Sequence, residues 1–295
     1  MKVLLAEYAT SHDPTLAPEG AAMLDTVKQS FERCGYEVMV PGCGDFAAEI
    51  ERLAPQCAMG LVIAPDHLLA RYTQILEQHT HNLGCGFMTV ALCANKVQTE
   101  KILRSHGVPV PAEATSKKRV IKPVKGCGAL GVRVSDGPVG DGEFAQQYLD
   151  GEHFSVSLVA SRVIGDACLY FTGNPPLVLA VNRQHIGHAA DGAIQYLGGE
   201  TPVHPEREAE IIEVAKKAII VLGAQGYCGV DVVVADKVYV VDVNPRITTS
   251  LVGIAACMKE EIAEILIEAS KGGGPKQVHL EGSVRFDTHG KVTFI

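Results

Sequence analysis

Two runs rich in β-branched residues flank Asp236-Lys237 within residues 229–246, and this pattern predicts a β-hairpin. A two-residue turn at that point would place three pairs of residues opposite each other: Val234 with Tyr239, Val232 with Val241, and Asp231 with Asp242. Like charges that face each other across two strands repel. At about 5 Å and an effective dielectric constant near 20, the repulsion is roughly 3 kcal/mol. The paired carboxylates therefore call for a nearby cation.

Asn244 lies two residues beyond Asp242 and so projects from the same face of its strand. Two carboxylates and an amide oxygen form a ligand set suited to Mg²⁺. We therefore predict a metal site at Asp231, Asp242 and Asn244, filled by Mg²⁺ or Mn²⁺. The alternative is an exposed, twisted hairpin end at which the carboxylates splay into water.

The composition restricts the class of protein. The chain has 295 residues, of which 47% are hydrophobic and 20% charged, with a formal net charge of −8. This charge argues against a nucleic-acid backbone and an anionic membrane surface as partners. No apolar run approaches the roughly 20 residues that span a bilayer. The first seven residues do not read as a signal peptide, and nine cysteines without a Cys-x-x-Cys pair suggest buried thiols. We expect a soluble cytoplasmic protein.

The first ninety residues alternate between strand and helix patterns. Strands are predicted at 3–8, 37–40, 60–64 and 86–92, and helices at 20–34 and 66–79. This alternation predicts a Rossmann-like parallel sheet. No Gly-x-Gly-x-x-Gly follows the first strand, which disfavours a dinucleotide site in this part of the chain.

From Asn95 onward the pattern changes, and antiparallel strands are expected. Helices are predicted at 96–106, 143–147, 205–222 and 252–270. Strands are predicted at 119–122, 132–135, 154–159, 169–172 and 177–182, then a glycine-rich loop to Gly199, and a closing hairpin at 284–294. Domain boundaries are expected near residues 94 and 150.

Residues 126–131 match Gly-x-Gly-x-x-Gly, but a strand pattern follows them where a dinucleotide fold requires a helix. The loop therefore joins two antiparallel strands. Its glycines allow backbone N–H groups to approach phosphate oxygens closely, and Lys122 and Lys125 flank it. The loop alone is equally compatible with a structural β-turn. Together with the predicted metal hairpin, it indicates a nucleotide site.

Taken in order, these motifs resemble the ATP-grasp superfamily over nearly the whole chain. Asn95-Lys96 begins a helix that leads to Gly107-Val108-Pro109. Lys122-Pro123 precedes the glycine-rich flap, residues 147–152 match the family's hinge, and the metal set is acid, acid, x, Asn. One departure is that the middle ligand is usually Glu, whereas this chain has Asp242, which is shorter by a methylene.

The resemblance implies a fold of mixed class, α/β and α+β. A Rossmann-like N-terminal (pre-ATP-grasp) domain, 1–93, is followed by the two α+β lobes of an ATP-grasp fold, a small lobe at 94–150 and a C-terminal lobe at 151–295. It also implies that ATP is bound by Lys96, Lys122, Lys125, Gly126, Gly128, Gly131, Gln147, Tyr148, Leu149 and Glu152. Arg246 would act on the transferred phosphate.

Arg183 follows an apolar run and could bind a carboxylate or the γ-phosphate with its two terminal nitrogens. The alternative, a solvated or structurally paired arginine, stays open. His185 and His188 border the glycine-rich loop and could contact substrate or solvent. Thr248, Thr249 and Ser250 could line the acceptor pocket or cap the following helix.

Residues 242–250 and 181–184 resemble the branch of the family that joins L-glutamate to tyramine in methanofuran biosynthesis. This implies a ligase that activates a carboxylate as an acyl phosphate and releases ADP and phosphate. The same chemistry on a different acid or amine stays open, as does a non-catalytic ATP-binding regulatory module. A NAD-dependent oxidoreductase is disfavoured because the glycine-rich loop lies between two predicted strands rather than between a strand and a helix. The sequence leaves a homodimer open.

Overall fold

The computed structural model describes residues 1–114, 118–126, 129–161 and 174–295. Its strands in these ranges are β1 (Lys2–Glu7), β2 (Glu37–Met39), β3 (Met59–Ile63), β4 (His81–Asn82), β5 (Arg119–Pro123), β6 (Arg133–Ser135), β7 (Glu143–Gln147), β8 (Glu152–Ala160), β9 (Leu177–His188), β10 (Ile194–Thr201), β11 (Gly226–Val234), β12 (Val238–Asn244), β13 (Val284–Phe286) and β14 (Val292–Phe294). The α-helices are α1 (Ala9–His12), α2 (Ala17–Arg33), α3 (Phe46–Leu53), α4 (Asp66–His79), α5 (Phe87–Cys93), α6 (Lys96–Ser105), α7 (Glu208–Val221), α8 (Ser250–Cys257) and α9 (Ile262–Ser270). Within the part of the chain described, none of these helices combines the length and the apolar character needed to cross a membrane.

The N-terminal unit contains a parallel sheet in the order β2-β1-β3-β4. Four consecutive apolar residues of β1 are buried, because a parallel sheet is covered on both faces. The predicted parallel α/β unit is thus confirmed. The strand predicted at 86–92 is wrong: this segment is α5, in which Val90 and Cys93 are buried at helical spacing. A short apolar run does not distinguish the two structures.

A three-stranded antiparallel sheet follows in the order β6-β5-β7. The glycine-rich segment joins β5 to β6, as predicted. The helix predicted at 143–147 is wrong, because this segment is β7 and pairs with β5, with Lys122 opposite Phe144 and Val120 opposite Gln146. Pairing with a partner strand overrides the local helix preference of Glu, Ala and Gln, which are good helix formers.

The third sheet has seven antiparallel strands in the order β12-β11-β8-β9-β10-β13-β14. Strand β9 extends to His188 and pairs with β10, so most of the predicted glycine-rich loop up to Gly199 is strand. The register of this pair shifts between Tyr196 and Gly199. The strand predicted at 169–172 lies outside the described residues.

The helix predicted at 252–270 is two helices, α8 and α9, separated by residues 258–261. The break follows from the charged run Lys259-Glu260-Glu261, which interrupts the apolar face. In this segment the Lys259 N–H donates to the His279 carbonyl at 2.9 Å, and Met258 forms a β-bridge with Leu280.

The parallel sheet and the seven-stranded sheet share their hydrophobic cores. In one cluster Val62 and Leu69 pack with Val230 and Val232, which lie on β11. A second cluster contains Leu5 and Val27 from the N-terminal unit together with Tyr227 and Ile247. Among the described cysteines, Cys57, Cys85, Cys93, Cys228 and Cys257 are buried and free. The N-terminal unit is therefore packed firmly against the sheet that carries the predicted metal hairpin.

Candidate active site

The hairpin β11–β12 brings the predicted metal ligands together, but its register differs from the one that the sequence predicted. Asp231 lies opposite Asp242, as predicted, but Val234 pairs with Val238 and Val232 with Val240. The turn is thus one residue longer than predicted, and a β-bulge at Val241 restores the register before Asp231. Both side chains of the pair therefore face one cavity, and Asn244 lies beside them.

The surroundings of the two carboxylates differ. The Asp231 oxygens accept hydrogen bonds from the Gln184 amide at 2.9 Å and the Asn244 amide at 3.3 Å. Burial, and then the charge of Asp242, raise the pKa of Asp231 to about 7. Burial also works against the charge of Asp242, but Lys96 and Lys122 hold its pKa below the usual value. The Nζ atom of Lys96 lies 2.6 Å from both Asp242 oxygens.

These residues fit a divalent cation. Two half-buried carboxylates face each other, and the negative charge of Asp231 is unfavourable at its position, so a cation beside it would be stabilising. The Asn244 amide oxygen completes a set of hard oxygen donors of the kind that Mg²⁺ prefers. The set contains only two acids, and the described ranges hold no cluster of three or more His, Cys, Asp or Glu side chains around a metal position.

Lys122 lies on β5 and reaches across the cavity to the hairpin. Its Nζ atom donates to the carbonyl of Val241, the bulged residue, at 3.0 Å. Burial lowers the pKa of Lys122, and Lys96 adds to this effect, while Asp242 opposes it. The cavity therefore contains two half-buried lysines, and cations that converge in this way can neutralise a bound polyphosphate.

The cavity lies between the three-stranded sheet and the seven-stranded sheet. Ten predicted site residues line it: Lys96, Lys122, Gly126, Gln147, Tyr148, Leu149, Asp231, Asp242, Asn244 and Arg246. The flap contributes Ala129, Leu130 and Val132, and at the hinge the Gln147 N–H donates to the Ala112 carbonyl at 2.9 Å. Gly151 allows the hinge to approach the hairpin, because a Cβ there would lie 2.3 Å from the Val234 carbonyl oxygen.

Four predicted residues are not part of the cavity lining: Lys125, Gly131, Glu152 and Arg183. Glu152 and Arg183 pair with each other at 2.6 Å, and the Arg183 guanidinium lies 4.8 Å from the centre of the Phe154 ring. Alternation along β9 explains this placement, since Gln184 rather than Arg183 faces Asp231. Gly128 lies outside the described residues. The roles of these five residues stay predictions.

Several lining residues had no role in the sequence analysis: Glu19, Gln146, His153, Gln184 and Tyr196. Tyr196 was hidden because its strand was predicted as loop, and Gln146 because its strand was predicted as helix. Glu19 lies far from the other residues in sequence, so its arrival at the cavity depends on tertiary packing. His188 lines the cavity, whereas His185 lies 3.5 Å from Glu200.

Arg246 follows the metal hairpin and is held from three directions. Its Nε atom donates to Asp66 at 2.9 Å, its Nη1 atom to the Ile247 carbonyl at 3.2 Å, and its Nη2 atom to Asn244 at 3.4 Å. The following Thr248, Thr249 and Ser250 line the cavity. The hydroxyl groups of Tyr227 and Thr248 lie 2.9 Å apart. The arginine and the polar loop after it are therefore fixed beside the predicted metal ligands.

Residues 93–250, more than half of the chain, match the family model of the ATP-grasp domain. The chain therefore belongs to the ATP-grasp family, and the parallel sheet followed by antiparallel sheets is the arrangement of ATP-grasp structures.

Two relatives are tyramine–L-glutamate ligases. The chain is 28% identical to the enzyme of Methanocaldococcus jannaschii over 90% of its own length and 88% of that enzyme's length. It is 32% identical to the enzyme of Methanocaldococcus fervens, over 70% of its own length and 64% of the relative's. A solved structure, described as a putative ATP-grasp superfamily protein from Archaeoglobus fulgidus, superposes with a TM-score of 0.77 at 29% identity, covering 97% of this chain and 92% of that one.

Proposed function

We propose that the chain joins the γ-carboxylate of L-glutamate to the amine of tyramine, forming γ-glutamyltyramine for methanofuran biosynthesis. ATP is converted to ADP and phosphate. The observation that carries this proposal is the convergence of Lys96, Lys122 and Arg246 with Asp231, Asp242 and Asn244 on one cavity. Phosphoryl transfer needs little covalent participation by the protein and depends on positioning and charge neutralisation.

The lysines would bind the inner phosphates of ATP. In the structure Lys96 is engaged by Asp242, and the charges of Asp242 and Asp66 outweigh burial to raise its pKa. It therefore carries a full positive charge at neutral pH. We infer that it turns from Asp242 toward phosphate oxygens when ATP and a cation enter, while Lys122 approaches the phosphates from the opposite wall.

Asp231, Asp242 and Asn244 would hold Mg²⁺ or Mn²⁺. The bound ion would neutralise charge on the outer phosphates and orient the γ-phosphoryl group. The hinge residues Gln147, Tyr148 and Leu149 would present their backbone to adenine. Tyr148 is itself fixed by Lys118, whose Nζ atom lies 3.6 Å from the centre of its ring.

The reaction would proceed in two steps. A carboxylate oxygen of glutamate attacks the γ-phosphorus, and the bond from this phosphorus to the bridging oxygen of ADP breaks. The amine nitrogen then attacks the carbonyl carbon of the mixed anhydride, phosphate leaves with the former carboxylate oxygen, and the nitrogen loses a proton. Arg246 would stabilise the negative charge that develops on the transferred group. No protein nucleophile is required.

A substrate panel tests the proposal. ADP formation is measured with Mg·ATP, a set of amino acids that includes L-glutamate, D-glutamate and L-aspartate, and a set of amines that includes tyramine and phenethylamine. We expect ADP release that depends on both L-glutamate and tyramine. Turnover with a different pair would keep the ligase chemistry and replace the substrates. ATP hydrolysis that no amine stimulates would contradict the ligase proposal.

Two variants on the same hairpin control for the site. Asp231→Asn should eliminate turnover. Asp236→Asn removes an exposed carboxylate at the turn, where its present partner is the Tyr239 hydroxyl at 3.1 Å, and should keep full activity. Equal loss in both variants would mean that the hairpin's general charge, rather than the metal site, supports the reaction.

A further inference from the structure

A buried ion pair links the N-terminal unit to the arginine of the candidate site. Asp66 accepts a hydrogen bond from Nε of Arg246 at 2.9 Å, and the exposed fractions of the two side chains are only 8% and 13%. The partners are 180 residues apart in sequence. An ion pair of this kind is retained only where each charge has a specific partner, because an uncompensated buried charge is strongly unfavourable.

The fold directs Asp66 to this position. It is the first residue of α4, after the loop that follows β3, and so lies at the carboxyl edge of the parallel sheet. In open α/β sheets this edge is where functional side chains collect. Ile247, the neighbour of Arg246, is fully buried in the core that the two units share. The arginine backbone is thus fixed against the same unit that supplies the aspartate.

A structural role of Asp66 at the helix start is the simpler reading, since acids are favourable in the first turn. The contacts argue against it. The N–H groups of Leu68 and Leu69 bond to the Pro65 carbonyl, and in the described part of the chain the Asp66 side chain accepts no hydrogen bond from its own helix. Its carboxylate is directed to Arg246.

The pair determines which edge of the guanidinium faces the site. With Nε held by Asp66 and Nη1 by the Ile247 carbonyl, Nη2 is directed to the Asn244 side chain, next to the metal ligands. The charge of Arg246 also acts on Asp231, so an arginine released from Asp66 would be drawn toward the carboxylates of the predicted metal site. Asp66 therefore keeps the arginine beside these carboxylates without letting it occupy them.

We infer that Asp66 is a positioning residue, supplied by the N-terminal unit, that aims Arg246 at the phosphoryl group being transferred. This inference rests on the proposed function in that Arg246 must act during transfer. Asp66 does not contact the nucleotide; it acts through Arg246. The N-terminal unit and the seven-stranded sheet region would then both contribute residues to the transfer site. The N-terminal unit would take part in the chemistry as well as in the fold.

The first experiment separates binding from chemistry. In Asp66→Ala, kcat should fall 10- to 100-fold, while KM for ATP and the affinity for Mg·ADP change less than threefold. Asp66→Asn should retain kcat within about fivefold of the wild type, because its amide oxygen still accepts from Nε. An Asp66→Asn variant as impaired as Asp66→Ala, or an Asp66→Ala variant with unchanged kcat, would overturn the inference. So would loss of Mg·ADP affinity equal to the loss of kcat.

The second experiment tests whether Asp66 acts through Arg246. The double variant Asp66→Ala/Arg246→Ala should match Arg246→Ala in kcat within twofold, because an arginine that is absent cannot be misplaced. Effects that multiply would show that Asp66 acts independently. Where Asp66→Ala alone does not fold, Asp66→Ser replaces it, since its hydroxyl is too short to reach Nε.

Two further measurements keep the inference separate from the proposed substrates. The affinity for Mg·ADP with aluminium fluoride, which mimics the transferring phosphoryl group, needs neither acid nor amine and should fall 10- to 100-fold in Asp66→Ala. If Asp66→Ala still turned over and kept the wild-type affinity for Mg·ADP with aluminium fluoride, the inference on Asp66 would be refuted. The proposed ligase function would not be affected by that result. Asp45→Ala is the matched control. It removes an aspartate that accepts from the Ala48 N–H at the start of α3, in the same unit but away from Arg246, and should leave kcat unchanged.

Discussion

Asp231 and Asp242 face each other across the hairpin, yet their surroundings shift their pKa values in opposite directions. The repulsion between two facing carboxylates would, by itself, leave the metal-free protein no less stable when either one is replaced by Asn. The structure separates the two, because only Asp242 pairs with Lys96, at 2.6 Å. The Asp231 oxygens contact neutral amides, so their charge is offset less.

We therefore predict that both Asp231→Asn and Asp242→Asn eliminate turnover but differ in stability. Without metal, the free energy of unfolding of Asp231→Asn should equal or exceed that of the wild type at pH 8. Asp242→Asn leaves the Lys96 ammonium buried without this counter-charge and should lose about 3 kcal/mol. Urea unfolding of the three proteins measures this. Equal destabilisation of both variants would contradict the assignment.

Glu100 carries a second prediction at the residue scale. Burial raises its pKa to about 7, although Lys122 and Arg104 oppose the shift, and its carboxylate accepts from the Gln146 amide. The unfolded chain has a pKa near 4.3 at this residue. Between these two values the folded protein retains a proton that the unfolded chain has released, so stability falls as pH rises from about 4.3 to about 7.

The loss attributable to Glu100 over this range is about 3 kcal/mol at most. Glu100→Gln keeps the acceptor oxygen and does not titrate, so its stability should change less with pH. Urea unfolding of both proteins at pH 4.5 and pH 8 gives the comparison, and other titrating groups cancel in the difference. Parallel pH dependence of the two proteins would show that Glu100 does not titrate with a raised pKa.

At the element scale, the hairpin shows what a strand pattern can predict. Alternation and β-branched residues predicted two strands with Asp231 opposite Asp242, and this pairing is correct. The turn length was wrong by one residue, and the bulge at Val241 was not predicted. Nothing in the apolar run marks a bulge, and the hydrogen bond from Lys122 to the bulged Val241 comes from another sheet, which local periodicity does not predict. The Val241 carbonyl and Lys122 come together only after the two sheets have packed.

The packing of the hairpin against the loop that follows it yields a prediction on Gly229. A Cβ at this position would lie 2.7 Å from Cγ2 of Thr248. Gly229→Ala should therefore lower the free energy of unfolding by about 1–3 kcal/mol through overpacking. Thr248→Ser removes the clashing methyl group and keeps the hydroxyl beside Tyr227, so the double variant should recover most of the loss. Additive effects in a thermal or urea double-mutant cycle would contradict this contact.

At the scale of the whole molecule, the fold class and the order of the motifs could be predicted because they depend on local periodicity and on short sequence signatures. Lys96, Lys122 and the three predicted metal ligands line one cavity, while their roles stay predictions. Asp66 and Glu19 could not be predicted, because their arrival depends on how the parallel sheet packs against the seven-stranded one. Arg183 is the opposite case, a residue that was predicted for the site but does not line the cavity. Strand alternation directs Gln184 rather than Arg183 toward Asp231.

If the cavity transfers the γ-phosphoryl group of ATP to a carboxylate, one oxygen of that carboxylate must leave with the released phosphate. L-Glutamate labelled with ¹⁸O in its side-chain carboxylate is incubated with the protein, Mg·ATP and tyramine, and the released phosphate is analysed by mass spectrometry. We expect one ¹⁸O atom in each phosphate formed, with ADP as the other product. Unlabelled phosphate with ADP, or AMP and pyrophosphate in place of ADP, would contradict it.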